Sequence, residues 1–128
     1  MAEATLPQFL LKHARTRPND PAMREKEKGI WQEWTWKEYL DHVRWIVLGL
    51  VHLGFERGDK LAVISDNRPQ VYATMLAVQA AGGAPVPLYQ DSIAREVQYV
   101  IDHSDAKFVL AEDQEQVDKL LHVKDRCA

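Results

Sequence analysis

The side chains best suited to chemistry are scattered along this 128-residue chain. His103-Ser104-Asp105 has the composition of a hydrolytic triad written in a row. Three adjacent residues cannot form the relay, in which the base reaches the nucleophile while the acid orients the base. The stretch reads as a polar helix end, and no Gly-x-Ser-x-Gly elbow occurs elsewhere. The histidines, His13, His42, His52, His103 and His122, include no His-Glu-x-x-His pair that would set two ligands on one helical face. His42 and His52 fall on one expected helix, about 15 Å apart, too far to share a metal. They read as polar-face residues.

The segment Ala62 to Tyr89 reads as strand, turn, helix, strand, and its turn is Asp66-Asn67-Arg68-Pro69. Such turns at the carboxyl ends of strands are common ligand positions in α/β proteins. This one lacks the glycines of a Gly-x-Gly-x-x-Gly dinucleotide turn, and no Gly-x-x-x-x-Gly-Lys-Ser/Thr phosphate loop is present. Gly82-Gly83 follows a helix instead of opening one, which suits a helix stop and close packing. Arg68 at a helix start opposes the helix dipole, which an anion from a carboxylate elsewhere or from a ligand would resolve, and a structural ion pair or plain solvation is the simpler reading. Trp31, Trp34, Trp36 and Trp45 are concentrated in a short region. They could line an apolar channel, but packing between a hairpin and a helix explains them more simply. The charged Glu25 to Lys28 reads as a solvated turn.

The elements that must position these residues follow from capping and periodicity. Thr5 with Gln8 fits a capping box for a helix over 5–17, ended by Arg17-Pro18. Ala22 to Arg24 and Ile30 to Trp34 suggest a hairpin over 22–34. Thr35 with Glu38 opens a helix over 35–54 with apolar positions from Trp36 to Val51 at helical spacing, closed by Gly54. Leu61 to Ile64 is a continuous apolar run, as in a strand buried on both faces. Asn67 is the expected N-cap of a helix over 70–81 that is apolar nearly all round. Ala84 to Tyr89 is a strand whose Pro85 and Pro87 suit a sheet edge. Ser92 is the expected cap of the next helix, Lys107 to Ala111 a third strand, and Asp113 with Gln116 the start of a last helix. The β-α-β-α-β-α order over 60–126 implies a parallel sheet, an α/β fold with Rossmann-like units.

Composition limits the function classes. Apolar residues make up 46% and charged residues 27%, which suits a globular domain. The net charge is −3 without a long basic run, giving no support to nucleic-acid binding. The lone Cys127 forms no internal disulfide, and no metal set can be built on it. A reducing, cytoplasmic setting is expected. No stretch is apolar enough for a membrane span, which leaves peripheral membrane contact open.

Gly54-Phe55-Glu56-Arg57-Gly58-Asp59-Lys60-Leu61-Ala62-Val63-Ile64, the later Leu76-Ala77-Val78-Gln79-Ala80-Ala81-Gly82-Gly83-Ala84-Pro85-Val86-Pro87-Leu88-Tyr89, and Val100-Ile101-Asp102-His103-Ser104-Asp105-Ala106-Lys107 together resemble the opening of adenylate-forming enzymes. That superfamily includes acyl-CoA synthetases, luciferases and peptide-synthetase adenylation domains. Trp34-Thr35-Trp36-Lys37-Glu38-Tyr39 resembles the long-chain fatty-acid CoA ligase branch. The resemblance implies carboxylate activation with ATP and Mg²⁺ to an acyl-adenylate, then thioester formation with CoA. It implies fatty acid, ATP and CoA as partners of a longer enzyme. The family's Pro-Lys-Gly phosphate loop, Tyr-Gly-x-Thr-Glu and Thr-Gly-Asp motifs and catalytic lysine have no counterpart here. The resemblance therefore assigns no catalytic, cofactor-binding or metal-binding residue to any position.

The expectation is a single incomplete domain over 1–128, the N-terminal portion of an adenylation domain, inactive in isolation. Uncovered sheet edges and helix faces should favour self-association, as a homodimer or higher oligomers of the isolated chain. Two other readings stand beside it: an aryl or shorter-chain acyl-CoA ligase, and a stand-alone Rossmann-like binding or interaction module.

Overall fold

The computed structural model describes residues 4–127. Helix α1, Leu6–Thr16, begins after Thr5, whose backbone N–H donates to Gln8 Oε1 at 2.8 Å. Strands β1, Pro21–Glu27, and β2, Ile30–Thr35, pair antiparallel around Lys28-Gly29. Helix α2, Trp36–His52, has the complete capping box expected at its start. The Thr35 N–H donates to Glu38 Oε2 at 2.8 Å, and the Glu38 N–H donates back to Thr35 Oγ1 at 3.2 Å. The Thr35 N–H first, and then the Thr35 hydroxyl 3.0 Å from Glu38 Oε2, hold the Glu38 carboxyl below its ordinary pKa. At the other end Gly54 takes a left-handed φ of 90°, and the Phe55 N–H closes onto the Leu50 carbonyl.

Five elements then alternate with one sheet: β3, Lys60–Ile64; α3, Pro69–Ala80; β4, Ala84–Leu88; α4, Ala94–Ser104; β5, Phe108–Ala111. Helix α5, Gln114–Val123, follows and runs into a 3₁₀ turn, Lys124–Arg126. The sheet is parallel in the order β4-β3-β5. β3 lies in the centre, and Leu61, Ala62, Val63 and Ile64 are all buried, as a two-faced apolar run requires. The Ala84 N–H donates to the Asp59 carbonyl. Strand alternation then turns the nitrogens of Pro85 and Pro87 toward the open edge, where a missing N–H costs no ladder bond.

Strand periodicity sorts the core into layers. Leu61 and Val63 pack with Leu50 and Phe55 and with Val78 of α3. Ala62 and Ile64 pack on the opposite face with Val97 and Ile101 of α4. A third cluster, Leu10, Tyr39, Val43, Ala73 and Ala77, seats α1 and the hairpin on the outside of α2 and α3. Burial pushes the Tyr39 hydroxyl up to about 12 and keeps it protonated.

Three expectations need correction. Arg68, not Asn67, is the N-cap of α3, because Pro69 at the first helical position holds the residue before it extended, at φ −115° and ψ 157°. Ile93, not Ser92, precedes α4, with Glu96 Oε2 reaching back to the Ile93 N–H at 3.1 Å. The acidic side chains of Glu25 and Glu27 are not simply solvated: both face Arg68.

Candidate functional site

α3 leaves β3 onto one face of the sheet, and α4 leaves β4 onto the other. With the strand order β4-β3-β5 the topological switch point, the usual place for a ligand crevice in an open α/β sheet, falls at the carboxyl ends of β3 and β5, where Glu112 bonds across to Ser65 and Asp66. A cleft of about 570 Å³ lies on the other side of β3, at the carboxyl ends of β3 and β4, lined by Asp66, Asn67, Tyr72, Tyr89 and Asp91 among others.

The Asp66-Asn67-Arg68-Pro69 turn forms one wall. Its backbone donors are already used within the chain. The Asp66 N–H donates to Glu112 Oε2 at 2.6 Å, the Asn67 N–H to Asp66 Oδ1 at 2.7 Å, and the Arg68 N–H to the Asp66 carbonyl at 2.9 Å. Pro69 has no N–H to offer. Phosphate binding at a helix start relies on free N–H groups, and this start presents none at these four positions. The Asn67 carboxamide oxygen accepts from the Tyr72 hydroxyl.

Arg68 is held by three carboxylates from two distant elements. Its Nε donates to Glu25 Oε1 at 2.8 Å, Nη1 to Glu112 Oε1 at 3.3 Å, and Nη2 stands 3.7 Å from Glu27 Oε1. Glu112 also accepts from Ser65 Oγ at 2.8 Å. The Asp66 N–H above all, with Ser65 and Arg68, holds the Glu112 carboxyl below its ordinary pKa. Glu25 and then Glu112 raise the pKa of Arg68. The anion that the helix dipole demanded beside Arg68 is therefore internal. Glu25 and Glu112 are the residues that sequence reasoning missed. The Arg68–Glu25 and Arg68–Glu112 separations, 43 and 44 residues, leave no local signal.

The remaining sequence candidates are dispersed. His103 stacks on Tyr99, Ser104 Oγ donates to the Ile101 carbonyl, and Asp105 closes α4 in the left-handed region at φ 55°. They form a helix end. His42 lies between Trp34 and Trp45, with its Nδ1 2.9 Å from the Glu38 carbonyl. His13 packs on Trp36 and accepts from Arg17. Trp34 and Trp36 are core-facing as packing predicts, whereas Trp31 and Trp45 are about two-thirds exposed. Burial raises the Cys127 thiol, which disfavours the thiolate. Among the described residues, no three His, Cys, Asp or Glu side chains converge in a way that could hold a metal ion.

The parallel order and the layers of helices define a Rossmann-like α/β unit. The chain belongs to the AMP-binding enzyme family, which matches residues 10–128. It is 39% identical over 93 residues to 4-hydroxybutyrate–CoA ligase 2 of Metallosphaera sedula, covering 73% of this chain and 17% of that protein. It is 30% identical over 104 residues to long-chain-fatty-acid–CoA ligase FadD15 of Mycobacterium tuberculosis, covering 81% of this chain and 17% of the ligase. Among solved structures, the crystal structure of VinN superposes with a TM-score of 0.87 at 29% identity, over 95% of this chain and 30% of VinN. The match thus spans about a sixth of the length of each of these two ligases.

The turn and the cleft beside it do not fit a nucleotide phosphate. The turn has spent its donors internally, and Asp66 and Asp91 on the cleft wall repel phosphate.

Proposed function

We propose that residues 1–128 form the N-terminal scaffold of an acyl-CoA ligase, and that the atoms which grip ATP, Mg²⁺ and CoA lie outside them. The family match across nearly the whole chain carries this reading. The parent reaction joins a carboxylate to AMP with loss of pyrophosphate. The CoA thiol then displaces AMP, leaving an acyl thioester. The part assigned to these residues is mechanical. They hold the carboxyl ends of β3 and β4 in a fixed register, with Arg68 tying the hairpin to the sheet.

The proposed substrate is a long-chain fatty acid, supported by the FadD15 similarity and the Trp34 to Tyr39 stretch. A shorter acid is the second reading, favoured by the higher identity to the 4-hydroxybutyrate ligase. Thioester formation by the full-length protein, assayed with palmitate and with 4-hydroxybutyrate, separates the two. A kcat/KM for palmitate at least tenfold above that for 4-hydroxybutyrate is expected, and the reverse order overturns the long-chain assignment. The 128-residue chain alone should make no thioester. ATP-dependent ligation by it would place the catalytic groups within these residues.

A further inference from the structure

The crevice position between β3 and β5 is filled from within the chain. Ser65 is the first residue after β3, and Glu112 the first after β5. The Glu112 N–H donates to the Ile64 carbonyl at 3.0 Å, which fixes its backbone against the end of β3. Its carboxylate then reaches over that end. Oε2 accepts the Asp66 N–H at 2.6 Å and stands 2.8 Å from Ser65 Oγ, and Oε1 lies 3.3 Å from Arg68 Nη1. The single Ser65 proton has a second acceptor in the Asp66 carbonyl at 2.9 Å, but a carboxylate is the stronger acceptor. The Glu112 side chain is 18% exposed, so the contact is shielded but not sealed.

A backbone N–H, a hydroxyl and a guanidinium meeting at one carboxylate are the parts of an anion-binding site. The donors come from the chain just after β3, and the anion comes from the end of β5, 46 residues beyond Asp66. The remainder of a larger domain is not needed to fill the seat, because both carboxylate oxygens are already engaged. Charge limits what could fit there. Arg68 is shared with Glu25 at 2.8 Å and Glu27 at 3.7 Å, so its single positive charge is divided. Asp66 adds a carboxylate of its own, which accepts the Asn67 N–H. The seat therefore balances no more than one negative charge, which suits a monocarboxylate and not a phosphate dianion.

We infer that Ser65, the Asp66 N–H and Arg68 form a seat for a monocarboxylate at the switch point, and that Glu112 occupies it as a built-in ligand. The chain's own side chain thus closes the place where an open α/β sheet ordinarily takes a ligand. Removing that side chain should convert the seat into a binding site for a free acid of the same size. The seat is separate from the chemistry proposed above for the parent ligase.

Chemical complementation tests it. Glu112→Ala removes Cγ and the carboxylate, the atoms of acetate, and Glu112→Gly removes those of propionate. Urea unfolding of each variant is followed with acetate, propionate, phosphate or chloride at matched ionic strength and near-neutral pH. Each response is taken relative to that of the unmodified chain, whose seat is filled. Acetate should stabilise Glu112→Ala along a saturating curve, lowering the unfolding constant about tenfold at about ten times its dissociation constant. Propionate should do the same for Glu112→Gly and act more weakly on Glu112→Ala, and phosphate should match chloride. The Asp66 amide proton resonance, displaced in Glu112→Ala, should return toward its unmodified position as acetate is added. Ser65→Ala in the Glu112→Ala background should weaken acetate binding about fivefold, the effect of one hydrogen bond. Equal stabilisation of the unmodified chain marks a general salt effect and overturns the proposal. So does the absence of a size preference between the two variants, or stabilisation by phosphate as great as that by acetate. Should a variant not fold in chloride, recovery of its circular dichroism with the matching acid supports the seat, and no recovery in either variant overturns it. The readout is anion binding by the chain, so its failure leaves the ligase reading untouched.

Discussion

The two ends of the parallel sheet are built on opposite plans. At the amino end the chain closes on itself through backbone. The Gly58 N–H donates to the Gly82 carbonyl, the Ala84 N–H to the Asp59 carbonyl and the Lys107 N–H to the Lys60 carbonyl. Asp59, largely buried, adds an ion pair with Lys107 at 2.6 Å and accepts from the Glu56 N–H. At the carboxyl end side chains do the joining: Arg68 and Glu112 span hairpin, turn and β5, and a cleft remains beside them. One end is filled and rigid by sterics. The other keeps a cleft beside a cluster of internally paired charges.

The largest expected effect tests the filled end. A Cβ at Gly83 would stand 2.4 Å from the Phe55 ring and 2.5 Å from the Asp59 carbonyl oxygen. The carbonyl belongs to backbone that already bonds Ala84, so it cannot retreat cheaply. Gly83→Ala should destabilise by about 3 kcal/mol, the upper range for an overpacked core. Urea unfolding measures it, and a loss under about 1 kcal/mol would show that this end yields more than its contacts imply.

The open end should respond less. Glu112→Ala removes the acceptor of the Asp66 N–H and Ser65 hydroxyl and one partner of Arg68. Water can reach these groups, so the cost should be about 1.5–2 kcal/mol, the low end for a hydrogen bond to a charged group. Thermal unfolding should show it. The circular dichroism of the native state should stay unchanged, since the sheet core is untouched.

Acid should reach both ends, by the same sign. Glu112 and Asp59 have carboxyl pKa values lowered in the fold, Glu112 first by the Asp66 N–H and Asp59 first by Lys107. A group whose folded pKa is depressed stabilises the fold above its unfolded value. That stabilisation is lost as pH falls through the lowered folded value. Stability should therefore be flat near neutrality and fall below the ordinary carboxylate range. Glu112→Gln and Asp59→Asn should each flatten that fall. An unchanged acid slope in both variants would remove these two carboxylates from the account.

The same contrast explains what could be read from sequence. Periods of two and 3.6, the Thr35–Glu38 box and the Gly54 and Gly82-Gly83 stops are local, so they locate the helices, the central strand and the close packing at the amino end. Pro85 and Pro87 place β4 at the edge for a reason confined to two residues. The carboxyl-end cluster depends on Glu25 and Glu112 arriving from far along the chain, which no window of sequence contains. Trp45 shows the reverse limit. Helical spacing puts it beside the apolar positions of α2, but only the packed structure shows that nothing described covers it.

The smallest effect separates a composition rule from a geometric one. Asn is among the best N-caps, and substituting a true cap costs about 1 kcal/mol. Asp113 is such a cap, accepting the Gln116 N–H at 3.1 Å, so Asp113→Ala should cost about that much. Asn67 stands one residue before the cap position, and its carboxamide oxygen meets the Tyr72 hydroxyl at the surface instead of an N–H of the first helical turn. Asn67→Ala should therefore stay within about 0.5 kcal/mol, as for an exposed substitution. Matched urea midpoints of the two variants make the comparison directly. If Asn67→Ala costs as much as Asp113→Ala, then α3 draws on Asn67 for capping, and the start of the open end lies one residue earlier than the Pro69 geometry places it.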